Sequence, residues 1–419
     1  MQCCMCGRDL SSADSATYIQ SSLTGSTTNY LCNGCARQSS EILCGTRTKT
    51  KNKSSTIVLP DGFEVLSPRF IYAELAKSVV SQNEFLIDIS TFGYSHLSRL
   101  EKLSNSDEDV PQNMPMLAMG RTGSGKTFAI ELLSKIISID VVPVSCVSLT
   151  SQGYVGLDLE DYIKNMLIKH DGDKSMVEIS ILHLDEFDKN RRTKSNGLDI
   201  NGEKVQHSLL KYLEGAESIT IPIGSKYGKG DVVEVSSKSM GYILSGAFSN
   251  IENFFRYKTY KQIGFRTKNG NSEYDESDTT IKEALIKYGI IPEICSRIGT
   301  VSMLNELDVG AYISILRNKN GFLERTKKHF LNHEGISLTF EQPVLETLAR
   351  RAYESKLGAR QLSTEIIKLT RMLQFLYFGQ EDKPSRVTFY LDRNGEVKYK
   401  MKDAPDLNMN EIFGWCSNG

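Results

Sequence analysis

The chain has 419 residues, 40% of them apolar and 24% charged, which fits a globular protein of two or three domains and excludes a disordered one. Formal net charge is −1, so there is no bulk basic field for gripping nucleic acid, although a local basic patch is compatible with that value. No apolar run approaches the roughly 18 residues that span a bilayer, and the opening Met-Gln-Cys-Cys-Met-Cys resembles neither a secretory leader nor an Arg-rich transit peptide. These features predict a cytoplasmic protein that acts neither in a membrane nor on nucleic acid.

Residues 1–45 hold most of the nine cysteines. The uneven clustering is unlike a disulfide framework and predicts a reducing compartment with one metal site. Cys3-x-x-Cys6 and Cys32-x-x-Cys35 supply four thiolates as two knuckles, the pattern for tetrahedral zinc. Cys4 competes for the site, and the two-residue spacing favours Cys3. A segment this short cannot bury enough surface to fold alone, and Zn²⁺ would contribute on the order of 10–16 kcal/mol. Residues 46–66 begin with a basic, polar run and read as a flexible linker.

Over 67–304, apolar strands alternate with amphipathic helices, which predicts an α/β domain with a parallel sheet. Strands are expected at Met114–Met119, Val141–Cys146, Glu178–Leu184 and Gly241–Ser245. Helices are expected at Lys126–Ile137, Leu159–Ile168, Val205–Leu213 and Ile281–Tyr288. Residues 305–400 read as a mostly helical second domain ending in two short alternating runs, with Leu345, Leu348, Ala349, Ala352 and Tyr353 as a core stripe. Residues 401–419 form a tail.

Gly120-Arg121-Thr122-Gly123-Ser124-Gly125-Lys126-Thr127, between a strand and a helix, is a P-loop. Its glycines let backbone N–H groups turn inward onto phosphate oxygens, and the helix start adds its positive dipole end. Lys126 is expected at the β- and γ-phosphates of ATP and the Thr127 hydroxyl on Mg²⁺. The strand Ile-Ser-Ile-Leu-His-Leu ending in Asp185-Glu186 reads as a Walker B element, with Asp185 holding Mg²⁺ and Glu186 as general base. His183 inside that strand reads as a core residue.

With these motifs in place, the chain resembles the ClpX-type AAA+ protein unfoldases from residue 3 to about residue 376. The resemblance implies that Tyr154 and Val155, in Gly153-Tyr-Val-Gly156, grip a polypeptide in an axial pore. A second pore loop, about 190–201, would contain Arg191 and Arg192. Ile263-Gly264-Phe265 resembles the tripeptide that docks on a ClpP-type peptidase. Arg297 would be an arginine finger reaching a neighbouring subunit's site, which implies a homo-hexameric ring. Arg360, in Gly358-Ala359-Arg360, would be the sensor-2 residue. Val79 and Val80 would pack on adenine, and Phe128 would complete the nucleotide-binding set. The cysteine domain would bind protein substrates or adaptors.

Several positions depart from the family. Arg121 and Ser81 replace a usual Pro and Gly, Ser245 replaces a Gly, and the gap between the cysteine pairs is longer. The resulting expectation is a divergent ATP-dependent unfoldase and translocase without peptidase activity of its own. The alternatives are a zinc-finger-bearing motor on nucleic acid and a non-hydrolysing assembly or adaptor subunit.

Overall fold

The structure is a computed structural model that describes residues 17–20, 28–31, 57–107, 109–149, 158–192, 200–222, 232–254 and 278–403. Chain contacts divide it into Met1–Ser55 and Thr56–Gly419. In the first unit, β1 (Thr17–Gln20) and β2 (Thr28–Leu31) form an antiparallel pair with Tyr18 opposite Tyr30. The four expected zinc ligands, Cys3, Cys6, Cys32 and Cys35, lie outside the described residues.

The second unit starts with α1 (Pro68–Ala76), where the Ser67 side chain accepts from the Phe70 N–H and Pro68 occupies the first turn. Next come α2 (Asn83–Ser104), β3 (Met116–Met119), α3 (Lys126–Ile137) and β4 (Val141–Ser145). A reciprocal Asp158–Asp161 capping box opens α4 (Leu159–Lys169), which is followed by α5 (Lys174–Glu178) and β5 (Ile181–Asp185). Then follow α6 (Ile200–Leu213), the antiparallel pair β6 (Ile219–Pro222) and β7 (Val232–Val235), and β8 (Gly241–Gly246). The elements α7 (Asp278–Tyr288), α8 (Pro292–Arg297) and β9 (Thr300–Met303) complete this part.

The main sheet has the order β4-β5-β8-β3-β9, and all its pairs are parallel. Helices cover both faces, as a parallel sheet requires. Alternation along each strand sorts the side chains. Leu117, Met119, Leu182, Leu184 and Leu244 join the core formed with α4, α6 and α7. Met116, Ala118, Ile181 and Ile243 join the core formed with α1, α2 and α3. Ile57, Leu59, Phe63, Val65 and Leu66 pack against this second core, although they fall in the stretch read as linker. Apolar side chains at 57–66 give that half of the stretch something to bury, whereas its basic first half has none.

The mostly helical domain comprises α9 (Val309–Arg317), α10 (Phe322–Glu334), β10 (Ser337–Phe340), α11 (Gln342–Ser355), α12 (Arg360–Tyr377), β11 (Arg386–Leu391) and β12 (Val397–Lys402). It has a separate core around Leu316, Phe330, Leu348, Leu373 and Phe389. β10 pairs parallel with β11, which pairs antiparallel with β12.

Three local expectations are corrected. The strand expected from Glu178 starts at Ile181, because Glu178 ends α5 and its carboxylate accepts the Ser236 N–H at 2.9 Å. The strand expected from Met114 starts at Met116. Tyr353 is 50% exposed rather than core, with its ring edge-on to Tyr312.

Candidate active site

The strand order places β3 and β5 on either side of β8, so the P-loop and the two acids rise at the C-terminal ends of the two strands that flank β8. Ligands of open parallel sheets bind at that edge. The P-loop leaves β3 and enters α3 at Gly125, whose φ of 105° forms the left-handed cap of that helix. Gly123 is also left-handed, and a β-carbon there would lie 2.6 Å from the Gly358 Cα. The Ala359 N–H donates to the Gly123 carbonyl at 3.1 Å. The P-loop and the segment before α12 therefore meet backbone to backbone, which requires glycine on both sides.

Gln82, buried behind the loop, ties it down. Its amide donates to the carbonyls of Asn305 at 2.9 Å and Ser124 at 3.4 Å, while its oxygen accepts the Asn305 N–H. The preceding Ser81 has a φ of 61°, so the serine standing where a glycine is usual holds a left-handed backbone.

A cavity of about 450 Å³ opens at this edge. Val79, Val80, Leu307, Ile315 and Phe322 give one part of it an apolar lining. Thr122 through Phe128, Asp185, Glu186, Asp188 and Arg360 line the polar part. Lys126 is buried, and its Nζ donates to the carbonyls of Gly120 and Arg121. Burial pulls its pKa down, and Asp185 and Asp188 oppose that pull. Burial also works against ionisation of Asp185, but a bond from the Ser245 hydroxyl, His183 and the Glu186 N–H outweigh it. Its carboxyl is held below the usual carboxylate range. Glu186 is turned into the left-handed region, φ 56°, at the cavity wall. The Ser124 Oγ is buried with no partner among the described residues.

These features fit a magnesium nucleotide: an apolar slot for a base, a glycine loop at a helix start and a lysine for phosphates, an orphaned hydroxyl, and a carboxylate with a threonine nearby for the metal. Of the residues expected at the nucleotide, only Gly120 and Arg121 fall outside the lining. Gly120 packs against Leu304, and Arg121 is exposed with its Nε 3.1 Å from Glu306.

Two family models match the chain. One, the ATPase family associated with various cellular activities (AAA), covers residues 116–232. The other, the C-terminal, D2-small domain of ClpB protein, covers residues 307–387. The ATP-dependent Clp protease ATP-binding subunit ClpX of Bacteroides thetaiotaomicron is 29% identical over 396 residues, which is 92% of this chain and 94% of that protein. The chain thus carries an AAA ATPase segment and is similar to a ClpX subunit over nearly its whole length. It is an ATPase, and ATP with Mg²⁺ goes with the AAA match.

Other expected residues lie elsewhere. Arg297, at the end of α8, is outside the cavity lining and donates to Glu214 at 2.6 Å. Arg191 stacks on the Tyr288 ring at 4.8 Å, and Arg192 pairs with Glu203. Tyr154, Val155, Ile263, Gly264 and Phe265 lie outside the described residues. The cavity also includes residues that sequence reasoning missed. Asp188, buried, accepts from the Ala247 N–H at 3.2 Å and from Lys189 at 2.8 Å. Leu307, Ile315, Asn318, Asn320, Phe322 and Arg325 come from the helical domain. The Asn-Lys-Asn-Gly turn before Phe322 is the one local signal of their presence. Among the described residues, no helix is long and apolar enough to cross a membrane.

Proposed function

We propose that this chain is an ATP-driven protein unfoldase and translocase. It works as a ring of six copies and hands unfolded polypeptide to a ClpP-type peptidase. What carries this reading is that the similarity to the ClpX subunit spans 92% of the chain rather than the nucleotide-binding segment alone. The domain organisation that goes with it is 1–45 zinc-binding, a linker shortened to 46–56 because 57–66 packs on the large-domain core, a large domain to 304, 305–400 small and 401–419 tail.

Thr127 and Asp185 would hold the magnesium. Magnesium ATP, when bound, supplies a terminal phosphoryl group whose charge is already partly neutralised. Lys126 exchanges the Gly120 and Arg121 carbonyls for phosphate oxygens. Glu186, at the cavity wall, takes the proton of the attacking water at its carboxylate. Arg360 opens α12 beside the cavity, so phosphate occupancy acts on the helical domain through it. Arg297 does not line its own chain's cavity, which suits a role on a neighbouring copy, where it would exchange Glu214 for phosphate charge.

Tyr154 and Val155 would grip the polypeptide, helped by Arg191 and Arg192. Ile263, Gly264 and Phe265 would dock on the peptidase. Cys3, Cys6, Cys32 and Cys35 would bind zinc. Their spacing supports this, as does the antiparallel β1–β2 pair between the two knuckles. Substrate proteins and adaptors would bind through that domain.

The test separates hydrolysis from pulling. Tyr154→Ala should hydrolyse ATP at a rate near wild type and fail to unfold a folded fluorescent reporter carrying an unstructured tail. Retained unfolding would remove Tyr154 from the pore role. Deleting 263–265 should spare unfolding and stop peptidase-coupled degradation.

A further inference from the structure

Beside the cavity, two polar side chains are sealed into the sheet. His183 on β5 is 1% exposed and Ser245 on β8 is 0% exposed. Their neighbours Leu182, Leu184 and Leu244 face the opposite core, so both side chains share the face covered by α1 to α3. The His183 Nε2 lies 2.8 Å from the Ser245 Oγ, and that hydroxyl donates to the Asp185 Oδ1 at 2.6 Å.

The polarity of this relay follows from its end. An ionised carboxylate only accepts, so the serine hydrogen is committed to Asp185 and the Oγ must accept from the imidazole. His183 therefore carries its hydrogen on Nε2. The Asp185 Oδ1 also takes the Glu186 N–H at 2.9 Å. One carboxylate oxygen is thus saturated from inside the protein. Among the described residues no donor meets Oδ2, which is left to the cavity that Asp185 lines.

We propose that His183 and Ser245 are positioning residues that lock the Asp185 carboxylate toward the magnesium of the bound nucleotide, so that metal affinity is set from within the sheet. The inference rests on the reading of Asp185 as the magnesium holder. It differs from a pair of buried polar groups that merely satisfy each other, because that pair would leave metal dependence untouched.

The experiment titrates free Mg²⁺ against binding of a fluorescent ADP to the full chain, with binding in EDTA as the baseline. Ser245→Gly and His183→Phe should each raise the half-saturating Mg²⁺ about tenfold while moving the EDTA baseline by less than about twofold. The double variant should be no worse than Ser245→Gly alone, because the two groups act in series. His183→Gln, whose amide can donate to the same oxygen, should recover most of the loss.

His183→Phe with wild-type metal dependence, while Asp185→Asn shifts it, overturns the relay and leaves the Asp185 reading standing. An Asp185→Asn variant that keeps wild-type dependence overturns the proposal through its premise. Should His183→Phe not fold, ring ¹⁵N shifts of the wild-type histidines decide. A hydrogen on His183 Nε2 supports the relay, and one on Nδ1 alone overturns it.

Discussion

Gly358→Ala would force apart a close backbone approach between the P-loop and the helical domain. Gly358 sits at φ 77°, where a side chain costs roughly 1–2 kcal/mol. The added carbon would lie 2.5 Å from the Gly123 Cα and 2.6 Å from the Thr122 carbonyl oxygen, whereas ordinary contact begins at 3.4 Å. Both obstacles are backbone, so no side-chain rotation relieves them, and the two segments must part by roughly an ångström. The Ala359 N–H then loses the Gly123 carbonyl, and Arg360 withdraws from the cavity. Misplacement on that scale costs up to about a hundredfold in rate. The expected result is a kcat/KM for ATP lowered about 10- to 100-fold, together with a lower Tm, read by steady-state phosphate release and a thermal melt. A variant within about twofold of wild type in kcat/KM, with an unchanged Tm, would refute the close-contact reasoning.

Other outcomes follow from single positions. Ser81→Gly relieves a left-handed serine and should stabilise the fold by about 1 kcal/mol in denaturant unfolding. Arg121→Ala removes only an exposed ion pair with Glu306 and should change stability by less than about 1 kcal/mol, with ATP hydrolysis near wild type. His96 is fully enclosed, its Nε2 2.9 Å from the Ile179 carbonyl, and burial pushes its pKa down to about 4. Below its ordinary value of 6.5 the unfolded chain takes up a proton that the folded one refuses, so stability falls as pH drops from 6.5 to about 4. The loss amounts to about 3 kcal/mol. His96→Gln, a side chain that does not titrate, should flatten that part of the pH profile, and an unaltered slope would contradict the assignment.

Much of the large domain was legible because its signals are local. The helix Lys126–Ile137 stands at its expected bounds, since left-handed residues at Gly125 and Ser138 close both ends. The strand ending in Asp185 was readable as an apolar run stopped by acids. Its start was not, because α5 spans five residues, too few to show a helical period. β10 was missed for a similar reason: four residues inside a helical stretch, paired in parallel with a strand about 50 residues later, carry no local mark. In the site, the P-loop lysine and the two acids could be named from sequence, but the lining from Leu307 to Arg325 could not. Those residues reach the cavity only because the helical domain folds back onto the P-loop at Gly123 and Gly358. Arg121, the odd residue of the P-loop motif, is explained by the same fold, since its side chain turns outward to Glu306. His183 read as a core residue, and it is buried. What the strand pattern could not reveal is that the neighbouring strand sets a serine between it and Asp185.

The central claim is that ATP hydrolysis here drives work on polypeptides. Phosphate release by the full chain with Mg²⁺ and ATP, measured alone, with an unfolded protein and with DNA, tests it most directly. The account predicts release that unfolded protein stimulates, that DNA leaves unchanged, and that Glu186→Gln abolishes. Release no greater than that of Glu186→Gln, or stimulation by DNA with none by unfolded protein, would contradict it.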